Sequence, residues 1–282
     1  MNYQFEFTAT RETTVRRLLD AHGVSWRLYK KLAAANTVWL GRRQTSVNER
    51  VAKAAKVRFE LPPSDAVAQT PGDLDIVLEL DNWLVVNKPA GLNSVPGPSH
   101  PTESLLNRVA AYLASEGIDG PQPAIMTRLD RDTTGLVLVA KHVFAQSLLD
   151  ESTLTKTYQA VVEGTPEPAQ GVIDLPLGKG EDGIHRVVTP AGQEAITDYR
   201  VLAAGPQSLV ELTLHTGRTH QIRAHLAYID HPVVGDPLYG HATAQWPHQL
   251  LCASTLAITD PFTGERHALS LPLPAGWPVI GA

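Results

Sequence analysis

At 282 residues, 43% of them hydrophobic, the chain is long enough for one large domain and a small one, and too apolar for a disordered protein. A single cysteine, Cys252, excludes an intramolecular disulfide and a cysteine-rich zinc site, and it fits a reducing, cytoplasmic setting. The net charge of −5 conceals an asymmetry: residues 1–63 hold 12 Lys and Arg against 5 Asp and Glu, whereas residues 64–282 hold 12 against 24. A basic module on an acidic body suggests a polyanion partner for the module, and a solvated basic face accounts for the charge equally well. No basic n-region precedes an apolar stretch at the N-terminus, and no apolar run reaches membrane-spanning length. Neither a secretory leader nor a membrane partner is therefore expected.

Residues 3–8 alternate as a short strand. Thr13 or Thr14 can cap a helix over Val15–Ala21, with Gly23 ending it. Ser25 caps a second helix, Trp26–Ala35, which carries Arg27, Lys30 and Lys31. Strands are predicted at Val38–Leu40 and Val57–Leu61, with a turn near Gly41-Arg42-Arg43. This small α+β module spans 1–63. A Pro-led, acidic linker over 64–74 follows, and the remaining body runs from 75 to 282. In the body, strand patterns fall at Asp75–Leu80, Trp83–Val86, Ile125–Met126, Leu136–Ala140, Tyr158–Val162, Val187–Val188, Ile196–Val201 and Leu209–His215. Helical patterns fall at Leu105–Ser115, Val143–Leu149 and His220–Tyr228. Strands outnumber helices without alternating regularly with them, which argues for an α+β fold and against a doubly wound parallel sheet.

The stretch with most chemistry is Thr127-Arg128-Leu129-Asp130-Arg131-Asp132-Thr133-Thr134-Gly135-Leu136. A carboxylate beside an apolar run is costly unless it is paired or used. With arginines nearby, Asp130 is expected to be ionised, partly desolvated and fixed, as a carboxylate nucleophile must be. A glycosidase pair with Asp132 and a plain turn salt bridge are the competing readings. A second stretch, Leu214 to Leu226, reads as a strand end, a glycine turn and a helix start. It presents Arg218, Thr219, His220, Ile222 and Arg223, where an anion could bind. The histidines at 215, 220, 225 and 231 are spaced by 5, 5 and 6, not the four that would place two metal ligands on one helix face, so no metal is expected. Gly178 to Gly183 matches G-x-G-x-x-G, but it precedes a strand pattern and carries Glu181 and Asp182, so it reads as a turn and not a phosphate loop.

Taken in order, these stretches resemble the RluA-type RNA pseudouridine synthase family. The family's His-Arg-Leu-Asp-x-x-Thr-Ser-Gly-Leu stands here at 127–136, its Lys-Pro-x-Gly at Lys88–Gly91, and its Lys-x-Tyr-x-Ala at Lys156–Ala160. Thr216–His225 and His231–Asp236, followed by Tyr239-Gly240, are similar to its later segments. The likeness covers roughly residues 75–275. Residues 13–61 are more loosely similar to the S-four-like RNA-binding module that many members carry. The resemblance implies a mixed, mostly antiparallel central sheet with flanking helices and a cleft. It implies isomerisation of uridines in rRNA or tRNA to pseudouridine, without a cofactor, by a cytoplasmic monomer. Asp130 then matches the catalytic aspartate, as nucleophile or as the base of a glycal route. Tyr158 matches the tyrosine that stacks on uracil, Arg223 the aspartate's basic partner, and Ile222 a residue packing on the base. Arg128 matches the arginine that fills the gap left by a flipped nucleotide, with Arg218, Thr219 and His220 also at the substrate. Arg27, Lys30, Lys31, Arg42 and Arg43 would serve the RNA-binding module. Two positions depart from the pattern, Thr127 for His and Thr134 for Ser, and the loop after Leu92 matches only in part. An RNA-binding protein of the same fold without catalysis is the alternative.

Overall fold

The computed structural model describes residues 2–46, 48–64, 67–98, 100–278 and 280, so positions 65 and 66 of the expected linker lie outside the described residues. The chain forms two compact units, one of Met1–Val85, Val95–Thr127 and Leu138–Leu149, the other of Val86–Ser94, Arg128–Val137 and Asp150–Ala282.

The first unit opens with β1 (Gln4–Thr8), β2 (Thr13–Thr14), α1 (Val15–Ala21), α2 (Trp26–Ala34), β3 (Val38–Leu40), β4 (Arg43–Gln44), β5 (Arg50–Val51) and β6 (Lys56–Glu60). Four of these strands pair antiparallel in the order β1-β6-β3-β4. The helices start where the sequence places their caps: Thr14 accepts from the Arg17 amide and Ser25 from the Leu28 amide. Gly23, at φ +81°, follows α1 in the left-handed conformation that costs glycine least. Leu28, Tyr29 and Leu32 bury one face of α2, and Arg27, Lys30 and Lys31 stay exposed on the other. Next come β7 (Ile76–Glu79), β8 (Trp83–Lys88), α3 (Leu105–Ser115), β9 (Ala124–Ile125), β10 (Thr134–Ala140) and α4 (Val143–Leu148), with β8 and β10 divided between the two units. Phe144 of α4 lies 4.8 Å from Phe5 and 5.3 Å from Phe59, ring centre to ring centre, so the N-terminal strands share an aromatic core with α4. The compact units consequently do not coincide with a cut near residue 63.

The second unit adds β11 (Thr155–Glu163), β12 (Gln170–Asp174), β13 (Leu177–Lys179), β14 (Arg186–Val188), β15 (Ile196–Ala203), β16 (Gln207–Leu214), α5 (Gln221–Tyr228), β17 (Leu251–Thr259) and β18 (Arg266–Ser270). Its sheet runs β12-β15-β16-β11-β17, antiparallel throughout. β17 also pairs antiparallel with β18 and parallel with the start of β10, at Thr134↔Cys252 and Gly135↔Ala253. The α+β class and the mixed, mostly antiparallel sheet agree with the sequence reading. Residues Leu136–Ala140 are all 0% exposed, which explains their unbroken apolar run. Each buried Leu and Val side chain there contributes about 1.5–3 kcal/mol. Gly135, at φ +108°, sits so close to β17 that a Cβ would lie 2.4 Å from the Ala253 carbonyl oxygen. In the Gly178–Gly183 stretch, Gly178 and Lys179 end β13, and Gly180–Gly183 begin the turn that leads into β14, so the stretch opens a hairpin and not a helix. Among the described residues no helix is long and apolar enough to cross a membrane.

Candidate active site

Asp130 lies in the turn that leads into β10, and the backbone on both sides of it is pinned. The Ser94 hydroxyl accepts from the Leu129 amide at 3.0 Å and donates to the Leu129 carbonyl at 2.7 Å. On the other side, the Lys88 ammonium donates to the Arg131 carbonyl at 2.8 Å. Lys88 closes β8 as a fully buried side chain. Burial pushes its pKa down to about 8, against the pull of Asp132 and Asp130. The Asp130 side chain itself remains one-quarter exposed, so it is both held and reachable.

Arg223 comes from α5. Its Nη1 donates to Asp130 Oδ2 at 3.0 Å, while Nε and Nη2 donate to Asp236 at 2.7 and 2.8 Å. Burial opposes the Arg223 charge, but the hydrogen bonds and charge of Asp236, joined by Asp130, outweigh it and hold the guanidinium firmly protonated. The turn before α5 is built by Gln221. Its side-chain oxygen accepts from the Thr216 hydroxyl and the Arg218 amide, each at 2.9 Å, and its amide nitrogen donates to Ile196 O and Thr197 Oγ1, each at 3.0 Å. That bracing holds His220 at φ +55°, left-handed for a non-glycine residue, with Nε2 4.0 Å from Asp130 Oδ2. Burial draws the His220 pKa down, partly offset by the Asp130 charge. Its Nδ1 meets the Tyr239 hydroxyl at 3.1 Å, and that hydroxyl accepts from the Arg186 amide at 2.6 Å. Tyr239 thereby ties the imidazole to the Arg186 backbone on the side away from Asp130, leaving Nε2 turned toward the carboxylate.

Tyr158 projects from β11 and is buried. Burial, and then the Asp130 charge, push its pKa well above the usual phenol range, so its hydroxyl is neutral near pH 7. Lys156 Nζ stands 4.7 Å from the centre of the Tyr158 ring, its pKa pushed down to about 8 by burial.

The structure thus gathers Asp130, Arg223 and His220, with Tyr158 within reach of the Asp130 field and Ile222 buried beside Arg223 on α5. Arg128 and Thr219 are exposed. Arg218 is turned to the backbone, donating from Nε to the Glu194 carbonyl at 2.9 Å, and its own amide is taken by Gln221. Part of the anion-binding turn expected from sequence is therefore spent on holding the loop. In the N-terminal module, Arg27, Lys30, Lys31, Arg42 and Arg43 are exposed, and Arg43 pairs with Glu49. Both ring nitrogens of His225 are occupied, by Thr197 Oγ1 and the Leu175 carbonyl, each at 2.9 Å. Sequence reasoning gave no role to Lys88, Asp236 or Tyr239. A signal existed for the first two, a charge abutting an apolar run in Trp83–Lys88 and again in Val233-Val234-Gly235-Asp236. A carboxylate fixed by a guanidinium, with an imidazole at 4.0 Å and a neutral phenol within its field, can attack an electrophilic carbon or take a proton from one.

The sequence profile of the RNA pseudouridylate synthase family matches residues 82–228. The chain is 37% identical over 254 residues to the uncharacterized RNA pseudouridine synthase YhcT of Bacillus subtilis, covering 84% of each. It is 36% identical over 255 residues to the ribosomal large subunit pseudouridine synthase D of Escherichia coli, covering 83% of this chain and 74% of that one. Among solved structures, human RNA pseudouridylate synthase domain containing 1 superposes with a TM-score of 0.58 at 25% identity, over 74% of this chain and 91% of the other.

Proposed function

The chain belongs to the RNA pseudouridine synthase family, of the RluA type, and on that premise we propose that Asp130 is the carboxylate that opens the glycosidic bond of a flipped-out uridine. The reaction of this isomerase is balanced within one nucleotide. The C1′–N1 bond breaks, a C1′–C5 bond forms, C5 loses its proton and N1 gains one. Whether the carboxylate attacks C1′ or removes the C2′ proton, it must be ionised while shielded from bulk water. The observation that carries the assignment is the 3.0 Å contact from Arg223 Nη1 to Asp130 Oδ2, which stabilises the anion in a partly buried turn.

Tyr158 would stack on the uracil and assist a proton transfer, and Ile222 would pack against the base. Arg128, exposed and planar-headed, suits the gap left in the RNA stack. His220 and the exposed Thr219 would face the nucleotide and its phosphates, joined by Arg218 only through the guanidinium nitrogens not given to the Glu194 carbonyl. Because the body is acidic, attraction for RNA would come from Arg27, Lys30, Lys31, Arg42 and Arg43 of a module over residues 1–63. We place the substrate among structured rRNA or tRNA uridines, met in the cytoplasm by a monomer, and the name of the Escherichia coli relative favours large-subunit rRNA. Asp130→Asn should fold as the wild type and give no pseudouridine; retained turnover would defeat the assignment. Mapping pseudouridines in total RNA from cells with and without the protein identifies the target position.

A further inference from the structure

We infer that Asp236 is a positioning residue for the isomerisation, holding two of the three guanidinium nitrogens of Arg223 so that only Nη1 reaches Asp130. Arg223 Nε meets Asp236 Oδ2 at 2.7 Å and Nη2 meets Oδ1 at 2.8 Å, a two-pronged grip. The Asp236 side chain is wholly buried and that of Arg223 only 4% exposed, so water does not compete for either. Asp236 is fixed in turn, because Oδ1 also accepts from the amides of Leu238 and Tyr239 at 2.8 and 3.1 Å.

This arrangement matters for Asp130 because of what an arginine does with a single carboxylate. Left alone, the guanidinium fork closes on both oxygens of one partner. That would occupy the whole reactive group and neutralise it. With Nε and Nη2 committed to Asp236, the contacts of the Asp130 carboxylate among the described residues fall on Oδ2, from Arg223 Nη1 at 3.0 Å and His220 Nε2 at 4.0 Å. Oδ1 is left for the substrate. One guanidinium thereby serves two carboxylates, Asp236 through two nitrogens and Asp130 through one. The amide of Tyr239 on Asp236 anchors the residue whose hydroxyl meets His220, so the same buried carboxylate sets both neighbours of Asp130. Asp236 touches no reacting atom in this scheme.

The inference rests on Asp130 being the reacting carboxylate, and its test separates the two. In full-length protein, Asp236→Asn should lower kcat about a hundredfold while KM for the RNA moves less than about threefold, since a misdirected fork misplaces Asp130 without altering RNA contacts. An unchanged kcat in the folded variant, or a loss confined to KM, overturns the inference. Should Asp236→Asn not fold, the deciding measurement is the arginine side-chain NMR spectrum of nitrogen-15-labelled Asp130→Asn. The Arg223 Nε–H signal should keep its wild-type shift and slow exchange, because Asp236 holds it. A signal that moves to the position and exchange rate of a free arginine means that Asp130 held the fork, and the inference fails. That spectrum needs no turnover, so it judges the Asp236 grip on Arg223 by itself, whereas residual activity in Asp130→Asn sinks the catalytic assignment and with it the part of Asp236 in the reaction.

Discussion

Lys88 Nζ donates to the Arg131 carbonyl, one residue past Asp130, at 2.8 Å, and the same ammonium donates to the carbonyls of Pro89 and Leu92 at 2.9 and 2.8 Å. Three protons meet three acceptors, which is why a fully buried lysine is tolerated. Lys88→Met keeps the stem but strands three carbonyls, at about 1–3 kcal/mol each, offset by no longer burying a charge. We expect a net loss on the order of 3 kcal/mol in urea unfolding, together with reduced turnover as the Asp130 turn loosens. An unchanged unfolding midpoint would show that the ammonium does not hold this turn.

Tyr158→Phe isolates the hydroxyl from the ring. Burial and the Asp130 charge keep the phenol neutral near pH 7, so the substitution removes a proton carrier and no charge. Tritium release from RNA labelled at uridine C5, followed under single-turnover conditions, should slow by about 10²-fold while RNA affinity holds. Tyr158→Ala should lose affinity as well. Wild-type rates in the Phe variant would confine Tyr158 to stacking.

The basic module is best tested by point changes, because removing it would strip Phe5 and Phe59 from Phe144. Arg27, Lys30 and Lys31 are exposed on α2, opposite Leu28, Tyr29 and Leu32, so replacing all three with Gln leaves the core alone. The slope of log affinity against log salt should become shallower by about 2, since each phosphate left unneutralised removes about 0.7–0.9 from it. Turnover of bound RNA should change little. Arg43→Gln should matter less, since Arg43 already pairs with Glu49. An unaltered salt slope in the triple variant would move the RNA to another surface.

What is legible in the sequence follows from where the information is local. Caps at Thr14 and Ser25, the glycine after α1 and the apolar run into β10 put helices and strands at the right places, because one residue type meets one local need. The pairing of Asp130 with Arg223 is legible only through the resemblance, since 93 residues separate the two. β17 escapes the sequence reading: Leu-Cys-Ala-Ser-Thr-Leu-Ala-Ile-Thr has small residues and no alternation, because it is buried between β11 and β10. Asp236 stands in a family-like segment but shows no task there, for its meaning depends on a buried guanidinium 13 residues away. Thr127, unexplained as a departure from the family's His, has a structural role: it is buried, and its hydroxyl accepts from the Leu138 amide at 2.8 Å.

His142 gives the fold an acid limit. The imidazole caps α4, its Nδ1 accepting from the Ala145 amide at 3.0 Å, so the ring proton sits on Nε2 and faces Asn82 Oδ1 at 2.9 Å. Burial, helped by the Lys141 charge, pushes the pKa down to about 3. In the unfolded chain the same ring titrates near about 6.5. Between those values the unfolded state binds more protons, so stability is fully present above the unfolded pKa and falls as pH drops through the window. The loss from this residue between pH 7 and pH 5 should be about 2 kcal/mol. His142→Asn keeps a helix cap without the titration, so it should be less stable at pH 7 yet lose correspondingly less on acidification. Urea unfolding of both proteins at the two pH values decides the matter: equal acid losses in wild type and His142→Asn would assign the sensitivity to other groups.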